Sequence, residues 1–369
     1  MIRPKILVAG ATGLTGSAVV SELLKAGYPV RAMVRREDAR AAALRERGAE
    51  IAVADMTDFE QVVKAMRGVQ RAYWLPPYDP AMLTGATVFA TAAQEAGLES
   101  IVSLTQWLAS PAHPAFLTRQ HWLSDRIFAK LRNIAVTFVN PGFFADTPYL
   151  VTIGMAAHLG LMPWMFGDAP AAPPSVDDIA RVAVAALIDP QRHAGQTYRP
   201  TGPALLSGSD MAAILSRVFD RTVRQVPTPL WVFLRAAYRF GSPLALLSCM
   251  EHYVEECRRG AFAINAPNDD VASITGRPAE SFETVARRLA ALPENQRSAS
   301  NTLREFIRFF SIPLVRMPNL RRYLRGLQIV APIAPQFAGE SEVWRHDHRV
   351  TKTATAVRVV GRHDDIVVT

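Results

Sequence analysis

The stretch ILVAGATGLTGSAVVSELLKAG, residues 6–27, decides the fold. Ile6 to Ala9 is a short apolar run ended by glycine, the pattern of a strand buried on both faces. Residues 14–26 have helical composition, with Val19, Val20, Leu23 and Leu24 on the face that meets a sheet, and Gly27 supplies a stop. Between the two, Gly10, Gly13 and Gly16 form a GxxGxxG turn at a strand-to-helix junction. Glycine lets the backbone turn tightly and approach a pyrophosphate without a Cβ clash. The start of the helix offers free N–H groups and a positive dipole end to an anion. Gly16 lets helix and strand pack closely. The bland alternative is a glycine-rich turn that holds nothing.

The same alternation continues outward. Strands are predicted at Tyr28–Val34, Glu50–Ala54, Arg71–Leu75, Ser100–Leu104 and Ile134–Val139. Helices are predicted at Arg36–Arg47, Asp58–Met66, Thr84–Ala96 and Phe116–Leu131. Strands joined through helices run parallel, with helices on both faces. The fold class is therefore α/β with a doubly wound parallel sheet, which binds ligands at the carboxyl ends of its strands. Past residue 145 the alternation lapses. Pro148 to Pro174 reads as a pocket-lining excursion, Asp177–Leu187 as a helix and Gln196–Arg199 as a returning strand. Ser209–Phe219 follows as a helix with Ser209 or Asp210 as N-cap, and helices dominate to about residue 292.

The composition narrows the classes. Of 369 residues, 49% are hydrophobic and 20% charged, an ordinary balance for a globular chain with ample core. No run of 18 apolar residues exists, so no membrane span is expected. Residues 1–9 lack a signal-peptide pattern, and a cytoplasmic location is expected. Cys249 and Cys257, eight apart on a predicted helix, lie about 12 Å apart along the axis, too far for a disulfide. No metal site is expected. The net charge of +8 could mean nucleic acid, but it sits in the tail. Residues 295–369 hold twelve Arg or Lys against six Asp or Glu. No nucleic-acid partner is expected.

The second strand selects the cofactor. An NAD-binding fold usually ends it with a carboxylate for the ribose hydroxyls. Here it reads Val30-Arg-Ala-Met-Val34-Arg35-Arg36. Guanidinium groups pair bidentately with phosphate, so NADP(H) is favoured over NAD(H); the alternative is a solvated arginine pair. Asp55, ending the third strand, can reach an adenine amine or cap the next helix.

GATGLTG at 10–16, VRAMVRR at 30–36, Ala54-Asp55 and Pro141-Gly142 together resemble the NmrA-like family of atypical short-chain dehydrogenase/reductases. The likeness extends through VDDIARVAVAALIDP (176–190), GQTYRPTGPALLSGSDMAAILS (195–216) and SITGRPAESFETVARR (273–288). It implies an NADP-binding Rossmann domain over residues 1–150, with 175–200 returning to it. It also implies a smaller, mostly helical substrate domain over 151–174 and 201–294. A basic C-terminal extension, 295–369, matches nothing in the family. The expected dinucleotide contacts are Gly10, Thr12, Gly13, Leu14, Thr15 and Gly16 on the turn, then Arg35 and Arg36, Asp55 and Met56, and Leu75 and Pro76. The family includes reductases and proteins that bind the dinucleotide without known catalysis.

The superfamily's Tyr-x-x-x-Lys pair is absent, since none of the eight tyrosines has a lysine four residues on. That speaks against a sugar-nucleotide epimerase or dehydratase. At the matching place stand His121 and Asp125, whose i, i+4 spacing lets imidazole and carboxylate touch. Such a carboxylate would raise the imidazole pKa and suit His121 as a proton donor; a purely structural pair is the alternative. Thr105 stands where the superfamily carries an active-site serine. Pro76-Pro77-Tyr78 would border the nicotinamide ribose. Trp74, Trp107, Trp122, Phe143, Phe144, Trp164 and Phe166 are candidates for an aromatic pocket or for core. The expected activity is reduction of a small apolar carbonyl-, enone- or quinone-type substrate by hydride transfer. The alternative is a redox sensor acting on a protein partner.

In the extension, Leu303, Phe306, Ile307, Phe310 and Leu314 make one apolar stripe, and Leu320, Tyr323, Leu324 and Leu327 another, with arginines opposite. Packing on the domain or on a second subunit is the expected state; contact with an anionic membrane surface is the lesser alternative. His346-Asp347-His348 and His363-Asp364-Asp365 lack firm ligand spacing. Val350 to Val360 can form a hairpin with Ile366 to Val368, or none.

Overall fold

The computed structural model describes residues 3–146 and 153–350. The anticipated hairpin beyond Val350 and the His363-Asp364-Asp365 triplet lie outside these residues, as do residues 147–152 of the expected excursion. The first half of the chain alternates strictly: β1 (Ile6–Ala9), α1 (Leu14–Lys25), β2 (Val30–Val34), α2 (Ala39–Glu46), β3 (Glu50–Val53), α3 (Phe59–Met66), β4 (Arg71–Trp74), α4 (Met82–Glu95), β5 (Ser100–Leu104), α5 (Phe116–Phe128) and β6 (Ala135–Val139). There follow α6 (Ile153–Leu159), β7 (Leu161–Trp164), α7 (Val176–Ile188), α8 (Pro190–His193), β8 (Thr197–Tyr198), α9 (Gly208–Phe219) and β9 (Arg224–Pro227). The remainder is helical: α10 (Leu230–Arg239), α11 (Leu244–Arg258), α12 (Asp270–Thr275), α13 (Phe282–Ala290), α14 (Ala299–Phe310), α15 (Leu320–Gly326) and α16 (Glu342–Asp347).

Seven strands form one parallel sheet in the order β3-β2-β1-β4-β5-β6-β8. The order reverses between β1 and β4, which opens a crevice at their carboxyl ends. One face of the sheet is covered by Val19, Val20 and Leu23 of α1 with Ile179, Val182 and Ala183 of α7. The other is covered by Val62, Phe89 and Phe128 from α3, α4 and α5. Trp74 is fully buried there, with its ring 4.9 Å from Phe89, so it belongs to the core and not to a pocket. Trp107, Trp164 and Phe166 are core as well.

Local chemistry sets the helix starts. Asp38 accepts from the Arg40 and Ala41 amides to open α2, and Asp58 from Gln61 to open α3. The N-cap of α9 is Ser207, not Ser209 or Asp210. Ser207 is the last extended residue, and Asp210 closes a capping box by accepting from the Ser207 amide.

The second body is built around β7 and β9, a parallel pair, with α9, α10, α11 and α13. Part of the C-terminal extension is fastened to it. The Trp344 side chain is fully buried, its Nε1 donates to the Trp107 carbonyl at 2.7 Å, and its ring stacks on His348. Buried Glu256 accepts from His113 Nε2 and from the Ala338 amide. Trp344→Ala is therefore expected to destabilise the protein by about 3–5 kcal/mol in urea unfolding, the usual cost of emptying a large core site. An unchanged midpoint would mean that the segment contributes nothing to folding.

Candidate functional site

The first crossover places the glycine turn at the sheet's switch point. Gly10 has φ +62°, in the left-handed region, and its carbonyl accepts from the Gly13 amide at 2.8 Å. A Cβ on Gly16 would stand 2.3 Å from the Gly10 carbonyl oxygen, so only glycine lets α1 start this close to β1. The first turn of α1 carries no side-chain cap and no acidic residue. Its leading amides therefore face the crevice with the positive end of the helix dipole. Those are the requirements of a diphosphate seat.

A cavity of about 410 Å³ runs from this turn across the sheet edge into the second body. Gly10, Thr12, Gly13, Leu14, Thr15, Met56, Leu75 and Pro76 line it, together with Thr105 and His121. Gly16 lies behind the turn. Arg35, Arg36 and Asp55 are exposed outside this cavity, just beyond the ends of β2 and β3. Arg35 lies near enough to Asp55 to help hold its carboxyl below the usual range, after the larger effect of the Thr57 amide and hydroxyl. Asp55 therefore does not cap α3, a role Asp58 fills, and forms no ion pair among the described residues.

The structure corrects the expected His121–Asp125 contact. No hydrogen bond or ion pair joins them. The Asp125 carboxylate turns instead to β5, where it accepts from Thr105 Oγ1 at 2.8 Å, and it lines a separate small cavity. Burial pushes the His121 imidazole down to about 4, so the ring is neutral near pH 7. Burial pushes Asp125 up to about 8, against the opposing pull of the Thr105 hydroxyl. Of these two, the group that holds a proton at neutral pH is thus Asp125, reached from the main cavity through Thr105.

Several lining residues carried no sequence signal. Arg40 reaches the cavity wall while its guanidinium bonds Asp38 at 2.7 Å. Leu246, Met250 and Tyr253 come from α11, and Phe262 from just after it. The Tyr253 hydroxyl accepts from Gln106 Nε2 at 3.2 Å, and Thr118 Oγ1 donates to Gln106 Oε1 at 2.8 Å. Burial keeps the Tyr253 phenol protonated well above neutrality. Among the expected aromatics, only Phe143 and Phe144 line this cavity; Trp122 lines the small one with Asp125. Pro77 and Tyr78 border the main cavity, and among the described residues no lysine does.

The profile of the NmrA-like family matches residues 3–266. An NAD(P)H azoreductase from Xenophilus azovorans is 33% identical over 293 residues, spanning 78% of this chain and 98% of that protein. A (4-alkanoyl-5-oxo-2,5-dihydrofuran-3-yl)methyl phosphate reductase from Streptomyces griseus is 32% identical over 278 residues, 75% and 95% of the two chains. Among solved structures, an NADPH-dependent quinone oxidoreductase from Escherichia coli, in complex with NADPH, superposes with TM-score 0.66 at 22% identity. The superposition covers 77% of this chain and 99% of that one. NmrA, a negative transcriptional regulator in complex with NADP, superposes with TM-score 0.62 at 17% identity, over 79% and 99%. The glycine turn at the switch point, the parallel seven-stranded sheet and the length of the sequence match agree: the chain belongs to the NmrA-like family.

Proposed function

We propose that the chain binds NADP(H) and reduces a small, apolar carbonyl-, enone- or quinone-type substrate by hydride transfer. One observation carries this reading. A single cavity joins the uncapped glycine turn at one end to the apolar surface of Leu246, Met250, Phe143 and Phe262 at the other. A dinucleotide and an apolar molecule can therefore lie in contact, with water largely displaced. The glycine turn and first-turn amides would hold the diphosphate. Arg40 on the cavity wall, with Arg35 and Arg36 just beyond the end of β2, would hold the 2′-phosphate. When bound, the nicotinamide supplies the hydride.

The chain's own residues would supply the proton. Thr105 faces the cavity and hydrogen-bonds Asp125. As negative charge grows on a substrate oxygen, the Thr105 hydroxyl hydrogen passes to it, and Asp125 in its protonated form returns a proton to the Thr105 oxygen. The phenol of Tyr253, held by Gln106, would hydrogen-bond the same oxygen. His121, being neutral, would contribute an N–H or a packing surface.

The test is loss of nicotinamide absorbance on mixing NADPH-loaded protein with a panel of quinones, enones and aromatic ketones. Turnover with at least one apolar member is expected. The missing Tyr-x-x-x-Lys pair favours a second reading, a redox sensor. A protein whose bound NADPH no substrate oxidises, and whose calorimetric affinities for NADP and NADPH differ, would establish that reading instead.

A further inference from the structure

The two apolar stripes of the C-terminal extension meet different fates. Leu320, Leu324 and Leu327, in and just after α15, pack on the core beside α11. The stripe on α14 does the opposite. Leu303, Phe306, Ile307 and Phe310, with Leu314 beyond, stand 48–80% exposed. The face turned inward carries Glu305, which lies over Gly154 of α6 and pairs with Arg308, and one aromatic, the half-buried Phe309. An amphipathic helix normally buries its apolar side, whereas α14 turns only Phe309 inward and leaves Leu303, Phe306, Ile307 and Phe310 exposed. Among the described residues nothing covers this face. An apolar patch of this kind on a folded protein marks an interaction surface.

Charge identifies the partner. Arg239, Arg304 and Arg308 share with Phe240, Leu303 and Ile307 an open groove between α10 and α14 that contains no acidic residue. Arg235 lies against exposed Trp231 on the same helix as Arg239. Arg235, Arg239 and Arg304 form no ion pair among the described residues; their bonds go to Pro313, Ser311 and Asn301. From Phe306 to Gly339 the sequence holds five arginines and no Asp or Glu. A second copy would set this surface against itself, arginine facing arginine with no carboxylate between. Apolar side chains flanked by unpaired guanidiniums instead match acyl chains beneath anionic headgroups.

We infer that α14 and the adjoining edge of α10 dock the protein on an anionic phospholipid surface, with Phe306, Ile307 and Phe310 entering the interface. The inference is independent of the cofactor site. It is tested by co-sedimenting the full chain with vesicles of phosphatidylcholine containing phosphatidylglycerol, and with phosphatidylcholine alone. Binding is expected to the anionic vesicles only and to weaken with salt. Phe306→Ser combined with Phe310→Ser should lower partitioning at least tenfold, and Arg304→Ala about fivefold. These side chains are exposed, so thermal melting should not change. No sedimentation, or equal binding to neutral vesicles, would overturn the inference. So would a stable dimer that the double phenylalanine variant converts to monomer, since a second copy would then be the cover.

Discussion

Gly16→Ala is expected to lower NADP(H) affinity roughly 100-fold while leaving the fold intact. The new methyl would sit 2.3 Å from the Gly10 carbonyl oxygen, closer than van der Waals contact allows. Either α1 moves off β1 or the Gly10–Gly13 turn opens. Both displace the amides that face the crevice. A charge-assisted hydrogen bond is worth about 1.5–3 kcal/mol, so losing one accounts for the stated effect. Gly13→Ala makes the milder comparison. Its methyl would meet the same oxygen at 3.1 Å and the Leu75 side chain at 3.3 Å, distances that a small shift relieves. Calorimetry with NADPH, beside far-ultraviolet circular dichroism, reads both variants. A well-folded Gly16→Ala protein binding like the parent would remove the turn from the cofactor site.

The second large effect is expected at Thr105. Thr105→Val keeps the shape and deletes the hydroxyl that links the cavity to Asp125. General acid catalysis contributes about 10²- to 10⁴-fold, so kcat should fall at least about 100-fold, with KM nearly constant. The pH profile discriminates further. Asp125 carries its proton below about 8, so parent activity should decline as pH rises through that value. Asp125→Asn can still accept from Thr105 but cannot supply a proton. Its activity should be low and should lose that descending limb. A profile centred near the ordinary imidazole value and abolished by His121→Gln would assign the proton to His121 instead. The pair earlier expected to do this work, His121 with Asp125, fails for a tertiary reason. Helical i, i+4 spacing permits the contact, but Thr105 at the end of β5 offers the carboxylate a partner across the sheet edge, and His121 faces the cavity alone.

The alternation of apolar runs and helices from Ile6 to Val139 was legible because most of these parallel strands are buried on both faces, and a glycine or proline follows β1, β4 and β6 within two residues. The diphosphate seat was legible for the same local reason, since GxxGxxG encodes a backbone path. The far wall was not. Leu246, Met250 and Tyr253 lie on α11, more than a hundred residues from the turn, and look like any buried helix residues until the chain folds back. Arg40 was hidden differently. On an Ala/Arg/Glu-rich helix it reads as a solvated charge, and its place beside the cavity depends on the Asp38 cap that orients α2. The outward stripe of α14 was visible as periodicity, but its direction is set by which face α6 accepts.

The most direct test is a paired titration of the protein with NADPH and NADH, repeated on a variant with Arg35, Arg36 and Arg40 changed to alanine. A phosphate held by the arginine rim requires that the parent prefer NADPH by at least about tenfold, and that the variant bind the two forms almost equally. Failure of the parent to bind either molecule, or a preference for NADPH that survives loss of all three guanidiniums, would contradict it.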